Sequence, residues 1–307
     1  MNKINTVKNK NDFNAGQSVI IEKIFENFFF IIGFTCLFIL LLIIIFLFAE
    51  GVPIFKSISV GDFIFGTQWY PTSTVPRFGI LPLITASIAT TLLASIFAVP
   101  LSLAIAVYLA ELASPKVREV VKPAVEIIAS IPSVIIGFFG MVVIAPFLQK
   151  YFDLDTGLNL FNASLMLAFM AVPTIASISE DAISSVPMLL KEASYALGAN
   201  RWQTIFHITI PAALSGIWTA VILGISRVIG ETMVVLMVAG GATVIPHSIF
   251  DAVRPLTSDI AAEMAEAAVG GLHYHALFAI GIILFIITFI FNIIADFLSN
   301  KYKFKGN

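Results

Sequence analysis

One polar segment between two apolar runs decides the fold class: it reads EASYALG at residues 192–198 and, nine residues later, ITIP at residues 208–211. Pro187, just before it, suits the first turn of a helix, where its missing N–H has no helical partner to lose. Gly198 can adopt a positive φ and end that short helix. Residues 201–210 are then free to form a second helix, which Pro211 links to the helix of the next apolar run. The segment is therefore predicted to be a compact helix-turn-helix.

Long apolar runs lie on both sides of this segment. The chain is 59% hydrophobic and 12% charged, with a mean hydropathy of +0.99, which excludes a water-soluble domain. Runs of about 20 apolar residues span a bilayer as helices, whereas the strands of a membrane β-barrel alternate in segments of about 10. The pattern predicts an all-α integral membrane protein with six transmembrane helices, at residues 27–49, 80–110, 125–148, 161–183, 212–238 and 275–298. Pro132 is expected to interrupt the third of these spans.

The charge distribution predicts the orientation. A signal peptide is the competing interpretation of the first apolar run, but Phe28–Phe48 is longer than a signal h-region and is followed by no small-x-small cleavage site. Cytosolic segments of membrane proteins carry an excess of Lys and Arg. Both termini, residues 1–26 and residues 299–307, are therefore predicted to be cytosolic, and so is the 187–211 loop. This orientation places on the cytosolic side Lys3, Lys8, Lys10, Lys23, Lys116, Arg118, Lys122, Lys191, Arg201, Lys301, Lys303 and Lys305. Glu180 and Asp181, where the fourth span meets the cytosol, are expected to face solvent, with Lys191 as a possible partner.

The segment resembles the EAA loop of binding-protein-dependent ABC importer permeases, whose pattern is E-A-A, three residues, G, nine residues, I-x-L-P. Ser194 replaces the third Ala and Ile210 replaces the Leu, and both changes keep side-chain size or apolarity. The resemblance implies that the loop couples the membrane helices to a separate ATPase, which binds ATP and Mg, while this chain holds no cofactor and is not an enzyme. The residues predicted to couple to the ATPase are Glu192, Ala193, Ser194, Gly198 and Pro211.

The chain contains no phosphate-cradling loop of its own. The sequence G-x-x-x-x-G-K-[ST] requires a Gly-Lys dipeptide, and none occurs in the chain. The energy for transport is therefore expected from another polypeptide. Metal binding is not expected, because the chain has a single cysteine, Cys36, and His273 and His275 would not share a face of a helix. Nucleic acid is not expected as a partner, because the net charge is −2.

Further stretches resemble the PstC-type permeases of phosphate importers from about residue 20 to residue 300. They read FGTQWYP at 65–71, IPSV at 131–134 and RVIGETM at 227–233, and residues 260–278 resemble the same family. The resemblance implies a type I (MetI-like) permease in the cytoplasmic membrane of a bacterium or archaeon. Residues 80–298 would then form the five-helix transport core, with the first helix and the external loop 50–79 added to it. From its length and its Gly, Pro and aromatic residues, loop 50–79 is predicted to be structured, and residues 255–267 are predicted to form a short external helix with an acidic face.

The same resemblance implies the partners and the cargo. The partners would be a PstA-like second permease, two copies of a PstB-like ATPase, and a PstS-like receptor that delivers phosphate from the periplasm or the cell surface. One alternative keeps the class and changes the cargo to molybdate, sulfate or another oxyanion. A second alternative is a gradient-driven secondary transporter or channel, in which residues 187–211 are only a linker.

Two charges within the predicted fifth span suggest a site on the path. Arg227 and Glu231 are four residues apart and would share a helix face, where they could pair. An isolated charge at the centre of a bilayer costs at least about 2.5 to 3.5 kcal/mol, so both should face a cavity or a subunit interface. The hypothesis is that Arg227 contacts the anion as part of a gate, while Glu231 positions it and limits the affinity. A purely structural ion pair is the alternative.

Overall fold

The computed structural model describes the backbone of residues 2–301 and the side chains of residue 23 and residues 25–297. The predicted tail after residue 301, and the side chains of Lys3, Lys8, Lys10 and Lys301, lie outside the described residues. The described chain forms α-helices α1 (Asn2–Gly51), α2 (Val60–Phe65), α3 (Leu81–Val107), α4 (Pro115–Ala129), α5 (Ser133–Phe139), α6 (Ala145–Phe152), α7 (Leu160–Ser184), α8 (Met188–Ala196), α9 (Arg201–Thr204), α10 (Ile210–Ile229), α11 (Met233–Val238), α12 (Leu256–Glu263) and α13 (Leu272–Lys301). Strands β1 (Trp69–Tyr70) and β2 (Arg77–Phe78) form an antiparallel pair.

Six helical segments among the described residues are long and apolar enough to cross a bilayer, which confirms the predicted number. They are Phe25–Lys56, Leu81–Leu112, Ser133–Phe152, Leu160–Ser184, Arg201–Ile229 and Leu272–Phe297. The chain divides into two compact units, residues 1–50 and residues 51–307. In the first unit the apolar side chains from Phe25 to Phe46 are largely exposed, as expected of a helix whose solvent is lipid.

The third span begins later than predicted. Residues 125–129 belong to α4, a separate amphipathic helix without a buried residue, and the span itself is Ser133–Phe152. Pro132 was expected to interrupt this span, but it stands immediately before α5. The reason is steric, because a proline disfavours helical backbone at the residue before it and cannot donate a helical hydrogen bond.

The fifth span is displaced in the opposite direction. It was predicted at residues 212–238, but a continuous helix runs from Arg201 to Ile229 and stops there. Residues 230–232 form a break, which we call the 230–232 break, and α11 follows as a separate helix of six residues. Residues 233–238 are therefore not part of the span.

The main core of the second unit is centred on α3, α7 and α10, and α5 and α11 also contribute buried side chains to it. Small side chains line it, including Ala94, Ala98 and Ala171, so the helix backbones approach closely. At Gly224 a Cβ atom would lie 2.2 Å from Ile175 Cγ1, so α10 and α7 meet where only a glycine fits. The Ser102 hydroxyl on α3 donates to the carbonyl of Val172 on α7 at 3.2 Å. The three helices thus form a tightly packed bundle.

A second core covers one end of this bundle. It is formed by the residues of the predicted 50–79 loop together with α12 and the start of α13, and its largest buried side chains include Ile54, Phe63, Trp69, Leu256 and Leu277. The loop is therefore a folded element, as its predicted structured character required. We call this end of the unit the α12 end, and the opposite end, where α8 connects two spans, the α8 end.

Candidate functional site

The predicted helix-turn-helix is present at the α8 end. Pro187 stands just before α8, and Gly198, with φ +85°, lies in the turn that follows the end of α8 at Ala196. The N–H of Gly198 donates to the carbonyl of Tyr195 at 2.9 Å, and the N–H of Ala199 donates to the carbonyl of Ser194 at 3.2 Å. These two hydrogen bonds are the pattern of a Schellman motif. A glycine carries this backbone conformation without steric cost. The turn is therefore fixed by its own backbone.

The second helix of the motif continues into the fifth span. Asn200 caps α9, since its side chain accepts from the N–H of Gln203 and the Gln203 side chain accepts in return from Asn200 N–H. The helix then runs through a π-helical turn, Ile205–Thr209, into α10. The sequence predicted that Pro211 would link two helices. The π turn lets the helix continue across the proline instead, because a local widening absorbs the missing donor.

The side chain of Ser194 faces inward and fixes α8 against α9. Its hydroxyl lies 2.9 Å from the Thr204 hydroxyl, and both residues are buried. A hydrogen bond between two buried hydroxyl groups satisfies groups that would otherwise be costly to desolvate. Glu192 and Ala193, the first two residues of the motif, are exposed and available to a partner.

Apolar side chains project outward from the same motif. Leu197 is 89% exposed and Leu189 is 74% exposed, although both are large and apolar. Large exposed apolar side chains on a helix that only connects two spans are typical of an interaction surface. We call the coupling surface the set formed by Met188, Leu189 and Leu197 of the α8 turn together with Trp202 and Phe206 at the start of the fifth span.

The motif is anchored to the end of α3 through Glu111. The Glu111 carboxylate pairs with Lys191 of α8 at 2.6 Å (Oε1 to Nζ), and its backbone carbonyl accepts from the Arg201 guanidinium of α9. The sequence suggested Glu180 or Asp181 as the partner of Lys191, and this prediction was wrong. Both helices of the motif, α8 and α9, are therefore bonded to Glu111.

Glu180 is instead the centre of a buried ionic cluster that joins α7 to α4. It was expected to face solvent, but its side chain is fully buried. Its Oε1 accepts from Arg118 and from the Ser184 hydroxyl, and its Oε2 accepts from Lys122 at 2.6 Å. Hydrogen bonds to Asp181 and to Glu180 raise the pKa of Lys122. A fully paired carboxylate can be buried because its partners replace the lost water.

Arg227 and Glu231 do not form the predicted pair. The helix ends at Ile229, so the residues no longer share a helical face. Glu231 Oε1 accepts from the N–H groups of Met233 (3.1 Å) and Val234 (3.3 Å) at the start of α11. The exposed Arg227 guanidinium donates to the hydroxyl of Thr174 on α7 at 3.2 Å.

The first turn of α12 is bonded to two other elements. The N–H of Leu256 donates to the Ser87 hydroxyl of α3 at 2.8 Å. The next residue, Thr257, donates its hydroxyl proton to the carbonyl of Glu231 at 2.8 Å. The start of α12 thus bridges α3 and the 230–232 break.

The other end of α12 is held by a second ionic cluster. Glu263 accepts from Arg254 (2.6 Å), His273 (2.9 Å) and the Trp69 indole N–H (3.1 Å). The sequence predicted a short helix with an acidic face here, and Asp259 of that face is fully buried beside Arg254. Burial and the nearby charge of Glu263 raise the pKa of Asp259 to about 7. Sequence reasoning also missed the role of His273, which lies ten residues from its partner.

Comparison with known proteins identifies the family. Residues 98–304 match the family model described as binding-protein-dependent transport system inner membrane component. The probable ABC transporter permease protein YqgH of Bacillus subtilis is 38% identical over 263 residues, which cover 85% of each chain. The phosphate transport system permease protein PstC of Pasteurella multocida is 35% identical over 246 residues, covering 74% of this chain and 76% of that one.

Solved structures agree on the fold. A chain of the MetNI methionine ABC transporter superposes with a TM-score of 0.58 at 22% identity, covering 72% of this chain and 95% of that chain. A chain of a bacterial alginate ABC transporter, solved with a periplasmic protein bound to an alginate pentasaccharide, gives a TM-score of 0.60 at 18% identity and covers 88% and 96%. The architecture is thus that of a type I importer permease. The chain belongs to the family of binding-protein-dependent transport system inner membrane components, the membrane permeases of ABC transporters.

Proposed function

We propose that this chain is the permease subunit of an ATP-driven importer that moves inorganic phosphate across the cytoplasmic membrane. The observation that carries the proposal is that the exposed coupling surface is continuous with a membrane span. A partner that displaced α9 would displace α10 with it, because one helix runs from Arg201 to Ile229. Phosphate as cargo is supported by relatives named PstC that are 33 to 36% identical over most of the chain.

The ATPase and the other subunits of the importer are separate chains. A PstB-like ATPase dimer binds ATP and Mg and contacts the coupling surface from the cytosol. A PstA-like permease completes the path, and a PstS-like receptor docks at the opposite, external face. This arrangement requires both termini in the cytosol, which is the orientation favoured by the basic residues.

Docking to the ATPase is tested by placing a charge in the coupling surface. Leu197→Asp introduces a carboxylate at an apolar contact and is expected to abolish co-purification of the ATPase. Val269→Asp is the matched control, since Val269 is 86% exposed against 89% for Leu197 but lies at the α12 end. ATPase retained by Leu197→Asp, or lost equally from both variants, would contradict the proposed docking surface.

Arg227 is proposed as the anion contact on the path. Its guanidinium donates to a neutral hydroxyl, and no carboxylate of the described residues forms an ion pair with it, so its charge is available to phosphate. Guanidinium donors match phosphate oxygens in a bidentate geometry. Glu231 acts beside it by holding the start of α11 and so fixing the 230–232 break.

Replacing the charge tests this role. Arg227→Gln is expected to lower phosphate uptake at least about tenfold, the equivalent of about 1.4 kcal/mol, while the complex still assembles. Arg77→Gln is the control, because Arg77 is an exposed arginine on β2. Uptake and assembly are measured in parallel. Normal uptake by Arg227→Gln removes the gate role, and failed assembly assigns Arg227 to structure instead.

A further inference from the structure

The coupling loop holds α3 as well as α10. Glu111 lies in the π-helical turn Tyr108–Leu112 that ends α3, and its bonds to Lys191 and Arg201 join it to both helices of the loop. The ion pair is largely shielded from water, with side-chain exposures of 12% for Lys191 and 8% for Glu111. Shielded pairs are screened less by salt than exposed ones. The loop and the end of α3 are therefore joined by two bonds at one residue.

The other end of α3 is bonded to the external part of the path. Ser87 lies in the second turn of α3 and accepts from the N–H of Leu256, while Thr257 bonds the carbonyl of Glu231. Ser87 and Glu111 are 24 residues apart, so the helix separates them by about 36 Å. Two contacts of the α12 start thus connect α3 to the 230–232 break.

Two mechanical routes from the loop converge on this break. The first is direct, because α9 and α10 are one helix that ends at Ile229. The second runs from Glu111 along α3 to Ser87, and through α12 to the carbonyl of Glu231. Rigid secondary elements carry coupling between distant sites when both ends are fixed to moving parts. The break is therefore connected to the coupling loop on both of its sides.

We propose that α3 transmits the movement of the coupling loop to the α12 end of the path, with Glu111 as the positioning residue that fastens the loop to α3. The inference rests on the proposed function, because it requires an ATPase to drive the loop. Loss of the Glu111 contact leaves the direct route through α10 intact. ATP hydrolysis then continues, but fewer anions cross for each ATP consumed.

The test measures phosphate accumulated per ATP hydrolysed by the full complex in proteoliposomes. Glu111→Gln keeps the side-chain size and removes the charge, and it is expected to lower this ratio at least about fivefold, the lower end of ordinary coupling between sites. Lys191→Met removes the same ion pair from the other side and is expected to do the same. Ser87→Ala removes the acceptor for the Leu256 N–H at the other end of α3 and is expected to lower the ratio by a similar factor.

Two controls separate transmission from general damage. Ser95, like Ser87, lies on α3 and donates its hydroxyl proton to the carbonyl four residues earlier. Its hydrogen bond stays within α3, so Ser95→Ala should not affect the contact with α12. Glu119→Gln removes an exposed carboxylate from α4. Both variants are expected to keep the wild-type ratio and the wild-type yield of complex.

The double variant Glu111→Gln/Ser87→Ala decides whether the two ends act as one device. Independent sites this far apart multiply their effects, whereas two breaks in one route give a double variant no worse than the worse single variant. Multiplied effects, or a wild-type ratio in both single variants, overturn the inference. If the wild-type complex itself moves no phosphate with ATP, the proposed function has failed instead.

Discussion

The turn at Gly198 offers a prediction in which only the backbone is perturbed. Gly198 has φ +85°, and no atom lies within 4 Å of the position that a Cβ would occupy. Gly198→Val therefore places its Cβ in open space, and its effect is expected to come from forcing a β-branched residue into the left-handed region. That conformation costs an L-residue roughly 1 to 2 kcal/mol.

This cost is comparable to the net free energy that the two backbone hydrogen bonds contribute to the turn. If the substituted residue leaves the left-handed region, the N–H groups of residues 198 and 199 lose their bonds to Tyr195 and Ser194. A penalty of about 1 to 2 kcal/mol changes a local equilibrium by a factor of about 5 to 30. ATP-dependent phosphate uptake by the assembled complex is expected to fall by a factor in that range.

Asparagine at the same position is the matched control. Asn enters the left-handed region far more readily than other non-glycine residues, so Gly198→Asn should retain most of the uptake. Both variants are compared in proteoliposomes at equal complex content, with ATP hydrolysis followed in the same samples. Wild-type uptake by Gly198→Val, or equal losses in the valine and asparagine variants, would refute the role assigned to the turn.

Two further substitutions probe the fold itself. Gly224→Ala places a Cβ against Ile175 and is expected to lower the stability of the purified protein by about 1 to 3 kcal/mol. Adding Ile175→Val to the same chain should recover part of this loss. No recovery would mean that these two residues are not the point of contact. Asp259 has a pKa of about 7 in the folded protein against 3.8 ordinarily, so the folded state holds its proton more tightly and is favoured at low pH. That contribution, about 4 kcal/mol from a difference of about three pH units, is lost as the pH rises from about 4 to about 7. Asp259→Asn should therefore melt with a weaker pH dependence than the wild type over this interval, and identical profiles would contradict it.

The features that sequence could predict are those encoded locally. Six apolar runs of sufficient length predict six spans, because the bilayer requires backbone hydrogen bonds to be satisfied within each segment. The turn at Gly198 is also local, since one glycine between two short helical stretches determines it. Both expectations are confirmed by the structure.

The features that sequence missed depend on contacts between distant residues. Glu180 looks like a boundary carboxylate until α4 brings Arg118 and Lys122 to it from about 60 positions away. Glu111 looks like an ordinary helix-end carboxylate until the coupling loop folds back onto α3. Neither contact leaves a spacing signal along the chain.

The 230–232 break is an intermediate case. The apolar character continues across it, so hydropathy alone extends the fifth span to residue 238. A signal was nevertheless present, because Gly230 is followed by Glu231 and Thr232, and a glycine followed by side chains able to bond backbone N–H groups is typical of a helix end and a new helix start. That signal, given more weight than hydropathy, excludes the helical pair of Arg227 and Glu231.

The most direct measurement is uptake of labelled phosphate by proteoliposomes that contain the complete complex with its receptor. Accumulation is expected only with ATP, and an excess of unlabelled phosphate should compete while sulfate and molybdate should not. Accumulation that an ion gradient drives without ATP, or that sulfate or molybdate suppresses as well as phosphate does, would contradict the account.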